Sequence, residues 1–457
     1  MTKARLDQIV LPEFGMPDEM PEIPKAVYEA RLQRLRTRVE ERGYDGLVVY
    51  ADREHSANLS YLTGFDPRFE EAILVLGAAA EPAILVGNEC YGMAGQAPVA
   101  MRRHMFQDLS LPSQPRGESR PLADILADEG VGQGSRIGVV GWKEYASRDQ
   151  MDAPAFIVDE LRRVTGEAGI VENATDLLIG AADGLRVINE VEQLAAFEYA
   201  ACHTSNGVKR LLFGLEPGMR EDEAVRLLQW NGMPLSCHLM LTGGDRASLG
   251  LLSPGDRRIE RGDRFTVAFG IWGALNCRAG FVVEDAGELP GSIADYVDRL
   301  VGPYFEAVAE WYGALRIGQP GAVFHEIVDR HLGDDFFGIF LNPGHQISLD
   351  EWVNSPMAPG STTELRSGMA LQVDIIPATG TEYFTTNIED GVALADESLR
   401  RAFATQYPGA WQRIERRRQF MNDALGIALA PEVLPFSNIP AYLPPFLLSP
   451  NRVMTLA

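Results

Sequence analysis

The sequence predicts two domains, an α/β domain followed by an α+β domain. Two observations support this: short apolar strands alternate with helices through roughly the first 180 residues, and long helices followed by strands dominate the remainder. Of the 457 residues, 46% are hydrophobic and 23% are charged, which is typical of a globular chain and not of a disordered one. The length is sufficient for two domains and a small additional element.

The predicted α/β domain covers residues 26–180 and follows an N-terminal arm, residues 1–25. The arm is rich in Pro and Met without periodicity, so we expect it to lie on a surface or to be partly disordered. A helix with apolar residues at helical spacing begins at Ala26 and ends at a Gly. Further predicted elements are strands at 46–50, 72–77, 83–87 and 136–141, with a hairpin between the second and third, and a helix at 155–166.

The predicted α+β domain covers residues 181–400. A long helix begins near Asn189 and a second follows a Pro-Gly turn. Strand patterns then occur between Arg264 and Asp285, at 369–377 and at 385–395. For residues 401–457 the sequence predicts a short helix followed by a Pro-rich apolar tail. We expect this tail to pack as an extended segment, the C-terminal strap.

Charge and cysteine content narrow the functional classes. The formal net charge of -23 disfavours nucleic acid and anionic membrane surfaces as partners. The four cysteines, Cys90, Cys202, Cys237 and Cys277, form no CxxC pair, and we expect reduced thiols. The start has no apolar stretch typical of a secretory signal, and no run of about 18 apolar residues occurs, so a soluble, cytoplasmic protein is expected.

Six segments, in order along the chain, resemble motifs of the creatinase/prolidase/methionine-aminopeptidase superfamily. They are NLSYLTGFDPRFEEAILVLG (58–77), GLRVINEVEQLAAF (184–197), RRIERGDRFTVAFG (257–270), PGHQISL (343–349), LRSGMALQVDIIP (365–377) and NIEDGVALA (387–395). The resemblance implies a C-terminal domain of pita-bread fold, preceded by a creatinase-like α/β domain. It also implies a homodimer that acts on a small-molecule substrate.

The resemblance also places the metal-ligand positions of the family on this sequence. The family uses two Asp eleven residues apart, one His and two Glu to hold two divalent ions. The matching positions here are Ala268, Ala279, His345, Asp374 and Glu389. Because methyl groups cannot coordinate a cation, we expect no two-ion site and no metal cofactor. A single ion on His345, Asp374 and Glu389 is the less favoured alternative.

The leading functional hypothesis is a metal-independent hydrolase, similar to creatinase, that cleaves a C–N bond in a small polar or carboxylate-bearing metabolite. His345 would act as general acid or base, with Asp374 or Glu389 orienting it or exchanging protons with water. His238 could replace a family histidine that is missing here, although a structural role is the simpler interpretation. The sequence departs from creatinase at Phe281, where creatinase has a glutamate, so creatine itself is not predicted.

Two arginines are candidate substrate-binding residues. Arg278 adjoins Ala279 and could clamp a substrate carboxylate, but strand alternation would direct it away from the cavity that Ala279 faces. Arg68 lies in the N-terminal domain, which in creatinase-like dimers reaches over the active site of the partner. The simpler interpretation of Arg68 is a local ion pair with Glu70 or Glu71.

Two further hypotheses remain open. One is a divergent Xaa-Pro aminopeptidase or prolidase-type metallopeptidase. The other is a catalytically inactive pita-bread protein that binds a ligand or a protein, since the fold alone does not determine function.

Overall fold

The computed structural model describes residues 3–79 and 81–456, without the side chain of Leu249. The chain divides into an N-terminal unit, Ile23–Arg186, and a C-terminal unit, Met1–Glu22 together with Val187–Ala457. The first strand, β1 (Arg5–Gln8), belongs to the C-terminal unit. Within the described ranges, no helix combines the length and apolar character needed to cross a membrane.

The N-terminal unit is built on a six-stranded mixed sheet. Its strands are β2 (Gly46–Ala51), β3 (Ala72–Leu76), β4 (Ala83–Val86), β5 (Arg102–Met105), β6 (Arg136–Val140) and β7 (Ile170–Asn173), in the order β5-β4-β3-β2-β6-β7. Its helices are α1 (Lys25–Glu41), α2 (Ala57–Thr63), α3 (Cys90–Ala94), α4 (Leu122–Asp128), α5 (Ala155–Thr165) and α6 (Asp176–Ile179). The α/β arrangement agrees with the prediction, and β3 and β4 form the expected antiparallel hairpin.

Strand composition explains which strands of the N-terminal unit the sequence predicts. The central strands β2 and β3 are buried along their whole length and are rich in Leu, Val and Ile. The edge strands β5 and β7 have the sequences RRHM and IVEN, which lack an apolar run. They form because they extend the sheet by parallel pairing with β4 and β6, which no local pattern indicates.

The C-terminal unit is built on an antiparallel sheet. Its strands are β8 (Met240–Gly243), β9 (Arg264–Ile271), β10 (Ala274–Phe281), β11 (His345–Gln346), β12 (Ala370–Asp374), β13 (Asn387–Leu394) and β14 (Val433–Pro435), in the order β11-β12-β13-β10-β9-β8 with β14 beside β13. Its helices are α7 (Val191–Gly214), α8 (Glu221–Ala224), α9 (Gly302–Ala314), α10 (Ala322–Leu332), α11 (Glu397–Gln406) and α12 (Pro408–Asp423). The predicted second helix is reduced to α8 and a 3-10 turn, Val225–Leu228.

The two ends of the described chain meet in the C-terminal unit. Strand β1 pairs antiparallel with the last strand, β15 (Arg452–Thr455), so part of the arm is an ordered strand. The predicted C-terminal strap is extended and largely buried. Helix α12 is attached to α7 by a buried ion pair, in which the guanidinium groups of Arg413 and Arg417 lie 2.6 and 2.8 Å from the carboxylate of Glu198.

Candidate active site

Cross-strand pairing brings the predicted ligand positions onto one face of the C-terminal sheet. Ala268 on β9 lies opposite Cys277 on β10, and Cys277 lies opposite Glu389 on β13. Glu389 in turn lies opposite Asp374 on β12. Directly opposed residues share a face, and so do residues two apart in a strand, so Ala279 also lies on this face. We call it the site face.

His345 enters the site face from the neighbouring strand, β11, where it lies opposite Gln372. Gly344, just before it, has a φ of +144°, and a Cβ there would lie 2.8 Å from the Gln372 carbonyl oxygen. Glycine therefore allows the chain to approach β12 this closely. The His345 ring is fully buried, and its Nδ1 lies 3.2 Å from the Gln346 carbonyl oxygen. An N–H on Nδ1 that donates to this carbonyl leaves the Nε2 lone pair free.

Three carboxylates surround the free nitrogen of His345. The Nε2 atom lies 3.1 Å from Oε1 of Glu351 and 4.0 Å from Oδ2 of Asp374. One ligand atom each from His345, Glu351 and Glu389 lie within 4.8 Å of one another. Among the described residues, neither Nε2 of His345 nor Oδ1 of Asp374 has a hydrogen-bond partner of acceptable geometry. Buried polar atoms without partners are costly, and several around one point indicate a place for a ligand.

The electrostatics of this group favour a bound positive charge. Burial and then the charge of Asp374 raise the pKa of Glu389 well above its ordinary value. Burial also raises the pKa of Asp374, so both carboxyl groups of the pair bind protons more tightly than exposed carboxyl groups do. Burial alone would lower the pKa of His345, but the charges of Glu351 and Asp374 outweigh it and the pKa is raised.

The part of the site face around the two alanines is neutral. Burial raises the pKa of the Cys277 thiol well above its ordinary value, so the thiol carries no charge. The Asn387 side-chain amide donates to Cys277 Sγ over 2.9 Å. Ala279 is fully buried and Ala268 is 5% exposed. The ligand set therefore fits one divalent ion near His345 but lacks the carboxylates for a second ion beside it.

Arg278 lies on the opposite face of the sheet, as strand alternation predicts. It is 1% exposed, and its Nη2 lies 2.8 Å from Oδ2 of Asp390. Further donation goes to the carbonyl oxygens of Tyr442 and Ile439, over 2.8 and 2.6 Å. The structure therefore does not bring Arg278 to the site face. Although Arg278 points away from the site face, it is not exposed to solvent, because residues of the C-terminal strap cover it.

The other two predicted residues, His238 and Arg68, are held by local contacts. His238 is exposed, and its Nε2 lies 2.8 Å from the carbonyl oxygen of Leu251. Arg68 donates from Nε and Nη2 to the carboxylate of Asp66 at 2.8–3.1 Å, so it forms a local ion pair, with Asp66 as a partner. The remaining predicted residues, His345, Asp374 and Glu389, are brought together.

Three residues of the site were missed from the sequence. Cys277 and Asn387 could have been found, because each is two residues from a ligand position in a predicted strand and must share its face. Glu351 lies in the loop after β11, at a position that no family motif marks. Trp352, which follows it, stacks on the His345 ring with 4.2 Å between ring centroids.

Comparisons with known proteins agree with this fold. A family profile described as the Creatinase/Prolidase N-terminal domain matches residues 31–154. The prolidase from Thermococcus sibiricus is 18% identical with a TM-score of 0.63, covering 81% of this chain and 95% of its own. The dipeptidase PepE from Mycobacterium ulcerans is 20% identical with a TM-score of 0.59, covering 83% of this chain and 95% of its own. The X-Pro aminopeptidase from Thermotoga maritima is 15% identical with a TM-score of 0.61, covering 80% of this chain and 95% of its own. No curated protein matches the sequence significantly.

The fold and the site define a pita-bread protein with a single group of potential ligands. Residues 31–154 match the Creatinase/Prolidase N-terminal domain, and the chain has a fold similar to that of the prolidases and X-Pro aminopeptidases, as the motifs predicted. The predicted α+β fold, with a creatinase-like N-terminal domain, is confirmed. The leading functional hypothesis, a metal-independent creatinase-like hydrolase, is wrong: the similar structures are prolidases, dipeptidases and X-Pro aminopeptidases, which favour the prolidase-type alternative.

Proposed function

We propose that the protein is a divergent prolidase-type hydrolase that cleaves the peptide bond of short peptides, with Xaa-Pro dipeptides as the first substrates to test, using one divalent cation. The observation that carries this proposal is the buried Nε2 of His345, which faces carboxylates from β12, β13 and a loop without a hydrogen bond of its own. The similar solved structures include a prolidase and an X-Pro aminopeptidase, which supports the choice of substrate.

His345, Asp374 and Glu389 occupy the ligand positions of the family and would hold the cation. When bound, a divalent cation polarises a carbonyl and lowers the pKa of water. The chain itself supplies proton transfer. With a cation bound, the carboxyl groups of Asp374 and Glu389 would be deprotonated, and one of them would accept a proton from the attacking water and return it to the leaving amine. The Cys277 thiol is uncharged, because burial raises its pKa well above the ordinary value, so it adds no further charged group to this chemistry.

The test is hydrolysis by the full chain after chelation and reloading. Protein stripped with EDTA is titrated with Mn²⁺, Zn²⁺ or Co²⁺ and assayed on a panel of Xaa-Pro dipeptides with non-proline dipeptides as controls. We expect saturation at one ion per chain, activity only in loaded protein, and loss of activity in Glu389→Gln. Turnover that persists unchanged in stripped protein would contradict the proposal.

A second candidate function is ligand binding without turnover. The specific observation in its favour is that two of the five ligand positions of the family are Ala268 and Ala279. Without those carboxylates, a cation near His345 could serve to bind a peptide or carboxylate instead of hydrolysing it. Ion binding at one equivalent together with peptide binding, but no product over the full dipeptide panel, would select this function.

The homodimer implied by the family resemblance is also part of the proposal. Light scattering coupled to size-exclusion chromatography measures it directly. A mass of twice the 50.2 kDa chain would support it, and a mass of one chain would contradict it.

A further inference from the structure

The loop that carries Glu351 is a closed hairpin over the site. Its base is fixed by backbone hydrogen bonds, from Gln346 N to Asn354 O over 2.7 Å and from Val353 N to Gln346 O over 3.0 Å. The short segment between them, residues 347–352, returns the chain on itself. At its tip the Glu351 side chain is 23% exposed and Trp352 is 36% exposed, whereas His345 beneath them is fully buried.

Two successive residues at the tip contact the same imidazole in different ways. Glu351 meets its edge, with Oε1 3.1 Å from Nε2. Trp352 covers its face, with an interplanar angle of 18°. The Nδ1 edge is already occupied by the Gln346 carbonyl. The hairpin therefore limits the directions from which a ligand can reach Nε2. It places the Glu351 carboxylate beside the direction that stays open.

The position of Glu351 suggests what replaces the lost aspartates. A cation near His345 would otherwise have only the imidazole and the neighbouring carboxylates of Asp374 and Glu389. Glu351 adds a third carboxylate, and its ligand atom lies within 4.8 Å of those of His345 and Glu389. The fully buried Nε2 without a hydrogen-bond partner in the described part of the chain is a second, independent sign of a ligand at this point.

We propose that Glu351 is a direct ligand of the divalent cation, and that cation binding fastens the 347–352 hairpin tip over the site. This rests on the proposed one-ion function and identifies a ligand for it that lies outside the family motifs. One imidazole with carboxylate oxygens suits Mn²⁺, Zn²⁺ or Fe²⁺, and suits Ca²⁺ or Mg²⁺ less well. The tip would change from an ion pair with His345 to a ligand arm, and Trp352 would report that change.

The hairpin offers a matched control for the test. Asp350 precedes Glu351 and carries the same charge on the same tip, but it is not part of the group of converging ligand atoms. Glu351→Gln and Asp350→Asn each remove one negative charge with little change in size. A difference in cation affinity between the two variants therefore measures coordination by Glu351, because both variants change the charge of the loop equally.

The experiment measures Mn²⁺ affinity by calorimetry on EDTA-stripped full-length protein, with no substrate present. We expect Glu351→Gln to weaken Mn²⁺ binding by about 10- to 100-fold, the range found even for outer-sphere partners of metal ligands, and Asp350→Asn by less than about threefold. Mn²⁺ should also quench Trp fluorescence, and Trp352→Phe should remove most of that quenching. Circular dichroism confirms that each variant is folded.

The outcomes separate this inference from the proposed function. If the wild type binds one Mn²⁺ and Glu351→Gln binds it equally well, Glu351 is not a ligand, while the one-ion function stands. If Glu351→Gln and Asp350→Asn lose affinity to the same extent, the effect is electrostatic and the ligand assignment is wrong. If the wild type binds neither Mn²⁺ nor Zn²⁺, both the assignment and the one-ion function fail.

Discussion

Glu389 and Asp390 are neighbours on β13, and the two faces of the sheet give them opposite environments. Asp390 meets Arg278 at 2.8 Å, and its carboxylate also accepts hydrogen bonds from Asn276 Nδ2 and Ala441 N over 2.6 and 2.9 Å. Glu389 instead lies against Asp374, a second carboxyl group, and no guanidinium or ammonium group is among the causes of its shifted pKa. One carboxylate is fully satisfied by the protein, whereas the other is held in a group whose charges repel.

This difference separates a structural polar network from a functional one. A buried ion pair that is fully hydrogen-bonded holds elements together, here the strap and the sheet. A buried group of like charges stabilises nothing in the absence of a ligand, so its presence indicates a site. Substitutions of Asp390, Glu389 and His345 test this difference between the two faces of the sheet.

The largest effect on stability is expected from Asp390→Asn. The change leaves the buried Arg278 without a counter-charge, and breaking such a pair costs about 3–5 kcal/mol. Urea denaturation followed by tryptophan fluorescence measures the free energy of unfolding of the C-terminal unit. If the free energy of unfolding falls by less than about 1 kcal/mol, the Arg278–Asp390 pair contributes no more than a surface ion pair does, and the contrast between the two faces is wrong.

His345→Ala should have the next largest effect, on ion binding. The substitution removes the only imidazole of the group, and we expect Mn²⁺ affinity to fall at least about 100-fold, equivalent to about 2.7 kcal/mol. Calorimetry on stripped protein measures it, and His238→Ala is the matched control because His238 is exposed and bound to Leu251. Equal losses in both variants would contradict the assignment of His345.

Glu389→Gln should have the opposite sign to Asp390→Asn in ion-free protein. An amide at this position removes repulsion from Asp374 and can donate a hydrogen bond to it. Stability should rise by about 1 kcal/mol, since each tenfold change in proton affinity corresponds to about 1.4 kcal/mol. Thermal unfolding in EDTA measures it, and a clear decrease would show that Glu389 has a structural partner.

The smallest expected effect is the pH dependence of that difference. The pKa of Glu389 is higher in the folded state than in the unfolded state. The stability that Glu389 contributes is therefore complete below the unfolded-state pKa, and it is lost as the pH rises through the folded-state pKa. In EDTA, wild type and Glu389→Gln should therefore have equal stability near pH 4, and the wild type should fall behind as the pH rises. Mn²⁺ affinity of the wild type should increase over the same range, because the cation displaces the proton. A stability gap that narrows with rising pH would contradict the assigned pKa direction.

The fold and three residues of the site could be predicted from the sequence. The Gly-His pair at 344–345, the strand that ends at Asp374 and the NIED segment each carry a local pattern, and their order along the chain identifies the pita-bread fold. The two alanines could likewise be assigned, because the resemblance places the two aspartates of the family at Ala268 and Ala279, eleven residues apart. Arg278 could be directed away from the site by strand alternation, although its buried partner could not be named.

Tertiary structure alone decided the rest, because the contacts involved join residues that no local pattern relates. Asp390 is the partner of Arg278 because β10 pairs with β13, and the C-terminal strap buries the pair. Glu351 reached His345 only when backbone hydrogen bonds closed the hairpin that follows it. Alternation along a strand is local and can be read from the sequence, whereas the meeting of a loop carboxylate with an imidazole depends on how the chain returns through space.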